Sequence, residues 1–144
     1  MDLGKLQDAE KSYRKAIEIN PNYAEAYSNL GNILRDLGKL EAAEKSYRKA
    51  IEINPNFAIA HSNHGNVLRV LGKLEEAEKS YLMAIEINPG LPEAHLNLGI
   101  LLRILGKLEE AKLCSAKTMS LRSWSITGSY SFNNVMILDE SHNQ

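Results

Sequence analysis

His61 and His64 stand three residues apart, a spacing that sets two imidazoles on one helical face where they could share a metal ion, and His95 lies 34 residues after His61. No carboxylate or cysteine completes an evident ligand set, and His61 and His95 fall on packing positions, so no metal is expected. Cys114 is the only cysteine; it excludes an intramolecular disulfide and has no local signature of a nucleophile. The pairs Glu75-Glu76 and Glu109-Glu110 open exposed helices, where negative charge complements the helix dipole rather than serving acid–base catalysis. No phosphate-cradling glycine loop is present. The chain therefore reads as a non-enzyme with no cofactor. What is left for chemistry is recognition, in rows of amides and guanidiniums. Asn29, Asn63 and Asn97 form one row, Asn32, Asn66 and Ile100 a second, and Arg35, Arg69 and Arg103 a third. An amide carries both donors and acceptors, so a ladder of them can pair with the backbone of an extended peptide whatever its side chains. An arginine row can hold carboxylates. Simple solvation of both rows is the competing reading.

The elements that carry these rows follow from a repeat. AIEINP closes at Pro21, Pro55 and Pro89, an interval of 34 residues. Tyr27, Leu30, Leu34 and Leu37 recur at helical spacing and predict a first helix, A. After Gly38-Lys39, the stripe Leu40, Ala43, Tyr47, Ala50 and Ile51 predicts a second, B, which Pro55 ends because the residue before proline avoids helical geometry. Small residues mark the places where helices touch: Gly31, Ala43 and Ala50, then Gly65, Ala77 and Ala84. Neither two-helix unit can bury both stripes alone, so neighbours must stack.

A 34-residue helix-turn-helix carrying Tyr27, Leu30, Gly31, Ala43, Tyr47, Ala50 and Pro55 resembles the tetratricopeptide repeat over about residues 1–111. The resemblance implies an all-α solenoid, a right-handed superhelix with helix A on its concave side, and a role in binding proteins or peptides. His61 and His95 stand where the family has a large aromatic, and Leu34, Leu68 and Leu102 replace its usual tyrosine. The asparagine row is similar to that in the repeat array of O-GlcNAc transferase, a likeness of one row that implies no glycosyl transfer. The expected layout is a half repeat at 1–23, repeats at 24–57 and 58–91, a degenerate last repeat at 92–122, and a non-repeat tail at 123–144, extended or disordered. Along the expected groove the rows Ser28/Ser62/Leu96, Asp36/Val70/Ile104 and Asn32/Asn66/Ile100 turn apolar toward the C-terminus, where a partner or the tail should cover them.

Both ends depart from the repeat. Helix B of the first unit, Leu6 to Asn20, has no helix A before it, which leaves Leu6, Tyr13, Ala16 and Ile17 as a raw face. At the other end Ser115 and Thr118 stand where a large and a small residue are due. One explanation is an excerpt of a longer array. The other is assembly: helix A of the last unit, with Leu98, Leu102 and Leu105, accepts the orphan helix B of another copy and builds a head-to-tail homo-oligomer or filament. In the tail, Trp124, Ile126, Tyr130 and Phe132 alternate with small polar residues, as in an extended segment, and Trp124 is a candidate docking residue. A further reading makes the array the targeting arm of an enzyme outside this chain.

The formal charge of -1 at 144 residues, with Lys and Arg interleaved with Glu, offers no basic face for nucleic acid. No apolar run approaches the ~20 residues of a spanning helix, so no membrane is expected. With no signal peptide visible, a cytoplasmic location is the expectation.

Overall fold

The structure, a computed structural model, describes the backbone of residues 2–127 and the side chains of residues 2–122. The described chain is all-α: α1 (Leu3–Ile19), α2 (Ala24–Asp36), α3 (Leu40–Ile53), α4 (Ala58–Val70), α5 (Leu74–Ile87), α6 (Pro92–Ile104) and α7 (Leu108–Thr127). Two compact units divide at Pro89 and Gly90: α1 to α5 form the first, and α6 with α7 the second.

Each helix stops where its sequence makes continuation costly. Asn20 and Asn54 close α1 and α3, donating their backbone N–H to Ala16 and Ala50 and accepting on Oδ1 from the N–H of Asn22 and Asn56 across the following proline. At the other turn Gly38 has φ +79, a left-handed conformation that leaves the Gly38 N–H on Arg35 O and the Lys39 N–H on Leu34 O. Gly72 and Gly106 repeat it. The first helix begins at Leu3 rather than Leu6, because Asp2 caps it by accepting the Gly4 N–H at 3.0 Å.

Within the first unit α2 packs on α3 and α4 on α5, and α1 on α2 and α3 on α4 join these pairs. The core holds Leu30, Leu34, Ala43, Tyr47 and Val67. Tyr47 and Tyr81 are 0% exposed, and burial of a side chain of this size is worth about 1.5–3 kcal/mol. Their rings lie against Gly31 and Gly65, where an added Cβ would fall 2.7 and 2.6 Å from a ring carbon. Ser46 ties α3 to α2 by donating to the Tyr27 carbonyl at 2.7 Å. The expectation of a bare face on α1 is corrected in part: Tyr13 and Ile17 pack against the core of α2 and α3. Ala9, Tyr13 and Ala16 are only half-buried, whereas their counterparts Ala43, Tyr47 and Ala50 are fully covered.

The second unit solves the same packing problem differently. Ser115 replaces the tyrosine, and the added Cβ at Gly99 would meet Cys114 Cβ at 3.2 Å and the Ala111 carbonyl at 3.6 Å. Gly99 thus admits the facing helix itself rather than a ring. Thr118 is buried and returns its hydroxyl to the Cys114 carbonyl at 2.8 Å, which satisfies the polar group at a position made for alanine. Residues 123–127, read from sequence as the start of an extended segment, are helical. No Gly or Pro occurs between Leu108 and Thr127, and once α7 is nucleated on α6 nothing interrupts it before Gly128 in the sequence. The side chain of Trp124 and the tail from 128 to 144, with Tyr130 and Phe132, lie outside the described residues.

Candidate functional site

In the first unit α2 and α4 are neighbours and carry the first two members of each row. Asn29 is exposed and its amide bonds to no described residue, Asn63 is half-buried, and Arg35 and Arg69 are half-buried beyond them. The Asn63 Nδ2 donates to Asn32 Oδ1 at 3.3 Å, a side-chain link from one repeat to the next. This bond orients the Asn63 amide.

Asn32 and Asn66 each have a partner inside the fold. The Tyr47 hydroxyl donates to Asn32 Oδ1, and the Tyr81 hydroxyl to Asn66 Oδ1 at 2.6 Å. They anchor the two buried tyrosines. Burial pushes the Tyr47 phenol up to about 12 and raises Tyr81 as well, so both stay protonated donors. Where the tyrosine becomes Ser115, the asparagine becomes Ile100, and the pair disappears together. Arg69 Nε donates to the Tyr81 hydroxyl at 3.4 Å, Arg35 Nε pairs with Asp36 at 3.3 Å, and Arg103 Nη2 reaches Ser115 Oγ at 2.9 Å.

Other expectations are redistributed by burial. Ser28 and Ser62 are buried, so this row does not line an open surface. Val70 and Ile104 are exposed. In the second unit α6 carries Asn97, half-buried Ile100, and Arg103 at the corresponding positions. Leu98 and Leu102 are buried and Leu105 half-buried, and α7 already packs on α6, so the face expected to accept another copy is taken. Leu6 is buried too.

His61 is a satisfied core residue whose Nε2–H donates to the Pro55 carbonyl at 2.9 Å. Among the described residues no group of three His, Cys, Asp or Glu could hold a metal, and no helix is long and apolar enough to cross a membrane. Sequence reasoning missed one feature: Glu10 and Glu44 reach forward to Lys39 and Lys73, each at 3.2 Å, while each also pairs with the arginine one turn on, Arg14 or Arg48. Glu-to-Lys at 29 residues, recurring with the repeat, was the available signal. The Arg14 guanidinium holds the Glu10 carboxyl below the usual carboxylate range, with Lys39 adding to the effect.

Stacked helical hairpins, joined by the repeating Glu10–Lys39 and Glu44–Lys73 links, define an α-solenoid scaffold for protein–protein interaction. The chain belongs to the tetratricopeptide-repeat family: a profile described as tetratricopeptide repeat matches residues 24–57, one described as TPR repeat matches 1–34 and 65–106, and another tetratricopeptide-repeat profile matches 46–79. A crystal structure of MamA is similar with a TM-score of 0.79 and 28% identity, over 88% of this chain and 74% of that one. A second MamA crystal structure gives 0.76 and 27%, over 90% and 70%. MamA from Desulfovibrio magneticus RS-1, from residue 41 to its end, gives 0.75 at 21%, over 84% and 68%, a likeness of fold alone. No curated protein matches the sequence.

Proposed function

We propose that the first unit binds an extended segment of another protein across α2 and α4, as a non-catalytic scaffold. Asn29 and Asn63 hydrogen-bond the segment's backbone, and Arg35 and Arg69 draw its carboxylates. The observation that carries this reading is the exposed amide of Asn29, unbonded among the described residues, one repeat from an Asn63 already held in place by Asn32. An amide fixed in advance costs less ordering on binding. Peptide-array selection followed by calorimetry on the full chain tests it: Asn29→Ala and Asn63→Ala should each weaken a selected peptide roughly five- to tenfold, about 1 kcal/mol per lost bond. Unchanged affinity in the double variant would sink the reading.

End-to-end self-association is a second reading, favoured by the incomplete cover over Ala9, Tyr13 and Ala16 on α1. With Leu98 and Leu102 under α7, such a joint requires α1 of one copy to displace α7 of another. Light scattering over a wide concentration range decides it. A mass that grows with concentration supports the joint, and a constant monomer mass removes it.

A further inference from the structure

We propose that His64 is an acid-sensitive joint, a neutral imidazole packed in the seam of α3, α4 and α5 whose protonation loosens the second helical hairpin and its contact with the first. His64 occupies the position held by Leu30 one repeat before and Leu98 one repeat after, both buried leucines. Its Nε2 is buried with no hydrogen-bond partner among the described residues. The ring lies 6.5 Å from that of Tyr47, tilted by 43°. The equivalent place in the first repeat is an open cleft of about 270 Å³ lined by Tyr27, Leu30, Leu34 and Ala42 together with Arg14, Lys45 and Ser46. The counterparts of Tyr27, Leu30, Leu34 and Ala42 are His61, His64, Leu68 and Glu76, so the second repeat places imidazoles and a carboxylate where the first has tyrosine, leucine and alanine.

The charged and titratable groups around His64 come from all three helices. Glu44, Tyr47 and Arg48 face it from α3, His61 from its own helix, and Glu76 from α5. Burial is the largest influence, disfavouring the imidazolium; Glu44 and Glu76 favour it, and Arg48 and His61 oppose it. Glu44 is already engaged by Arg48 at 2.6 Å and by Lys73 at 3.2 Å, so its carboxylate is not free to receive another cation. The balance holds the His64 imidazole down to about 4. An unfolded histidine titrates near ~6.5, so the unfolded chain binds the extra proton in the window between. This contribution to stability is complete above about pH 6.5 and is lost as pH falls toward about 4, by at most about tenfold in the folding constant per pH unit. The Asn63–Asn32 link ties α4, the helix that carries His64, to α2. Acid would therefore disturb the peptide-facing rows; this last step rests on the binding role proposed above, whereas the switch itself does not.

The test is urea unfolding of the full chain from pH 7.5 to 4.5, comparing the unsubstituted protein with His64→Leu, which restores the residue of the neighbouring repeats. Carboxylates titrate in both and cancel in the comparison. The folding constant of the unsubstituted protein should fall on the order of tens-fold further than that of His64→Leu. Parallel pH profiles would overturn the proposal. Imidazole proton NMR of the unsubstituted chain gives an independent readout: a His64 resonance that titrates only below about pH 5 supports it, and one that titrates near ~6.5 overturns it.

Discussion

Gly31 and Tyr47 show how one pair of residues sets the distance between two helices. The glycine admits a ring whose hydroxyl then finds Asn32, so the contact is both apolar and polar. Gly31→Ala and Gly65→Ala push a Cβ into a fully buried ring, and each should destabilise by about 1–3 kcal/mol in urea unfolding. Gly99→Ala comes no nearer than 3.2 Å to any neighbour, Cys114 Cβ, and should cost less than either. Tyr81→Phe removes the bond to Asn66 and should cost about 1 kcal/mol with little change in fold, read as a shift in urea midpoint at constant slope. The size of Gly31 and Tyr47 and their recurrence were legible in the sequence as a close contact. The hydroxyl's acceptor was not, because spacing places Asn32 on the same helix face as a ligand row and says nothing of what reaches it from α3. His64 was similarly obscured: it was weighed only with His61 as a metal pair and set aside, and its register with Leu30 and Leu98 went unread.

At the scale of helices, proline, asparagine and positive-φ glycine fix the boundaries, and these were readable to within a few residues because each acts locally. Helix α7 was read less well. Its tyrosine-free stripe resembles the end of the repeat, yet the helix continues to Thr127, since α6 supplies a surface and the sequence supplies no breaker. The compensation has a cost in tolerance. Ser115→Tyr would restore the repeat's residue but not its room, and the closeness of α7 to Gly99 makes a loss of about 1–3 kcal/mol the expected outcome in urea unfolding. The Glu10–Lys39 link between helices is sensitive to acid, whereas a neutral contact is not. With its carboxyl held low, Glu10 contributes stability above its ordinary value of 4.5 that is lost as pH falls through the lower folded value. Lys39→Met should flatten the stability profile below about pH 4.5 and leave the interval from 7 to 5.5 nearly unchanged, as measured by urea unfolding at each pH.

Across the whole chain, the 34-residue period carried the fold class and family because every unit restates the same packing problem. Position within a unit carried less about function, since burial, as at Ser28 and Ser62, separates residues that share a row on paper. The same periodicity bears on the number of repeats. Lys39 and Lys73 begin equivalent helices after equivalent glycines, and α5 presents Ala77, Tyr81 and Ala84 where α3 presents Ala43, Tyr47 and Ala50. A chain lacking residues 39–72 would set Tyr81 against Gly31 and Asn32, and Lys73 against Glu10. Such a deletion should fold with a shorter core and no acid-labile histidine seam, which circular dichroism and urea unfolding would register as retained helix at reduced stability. Gain or loss of one whole 34-residue unit thus keeps each buried tyrosine facing a glycine and an asparagine, so the number of repeats can change without a new packing problem arising.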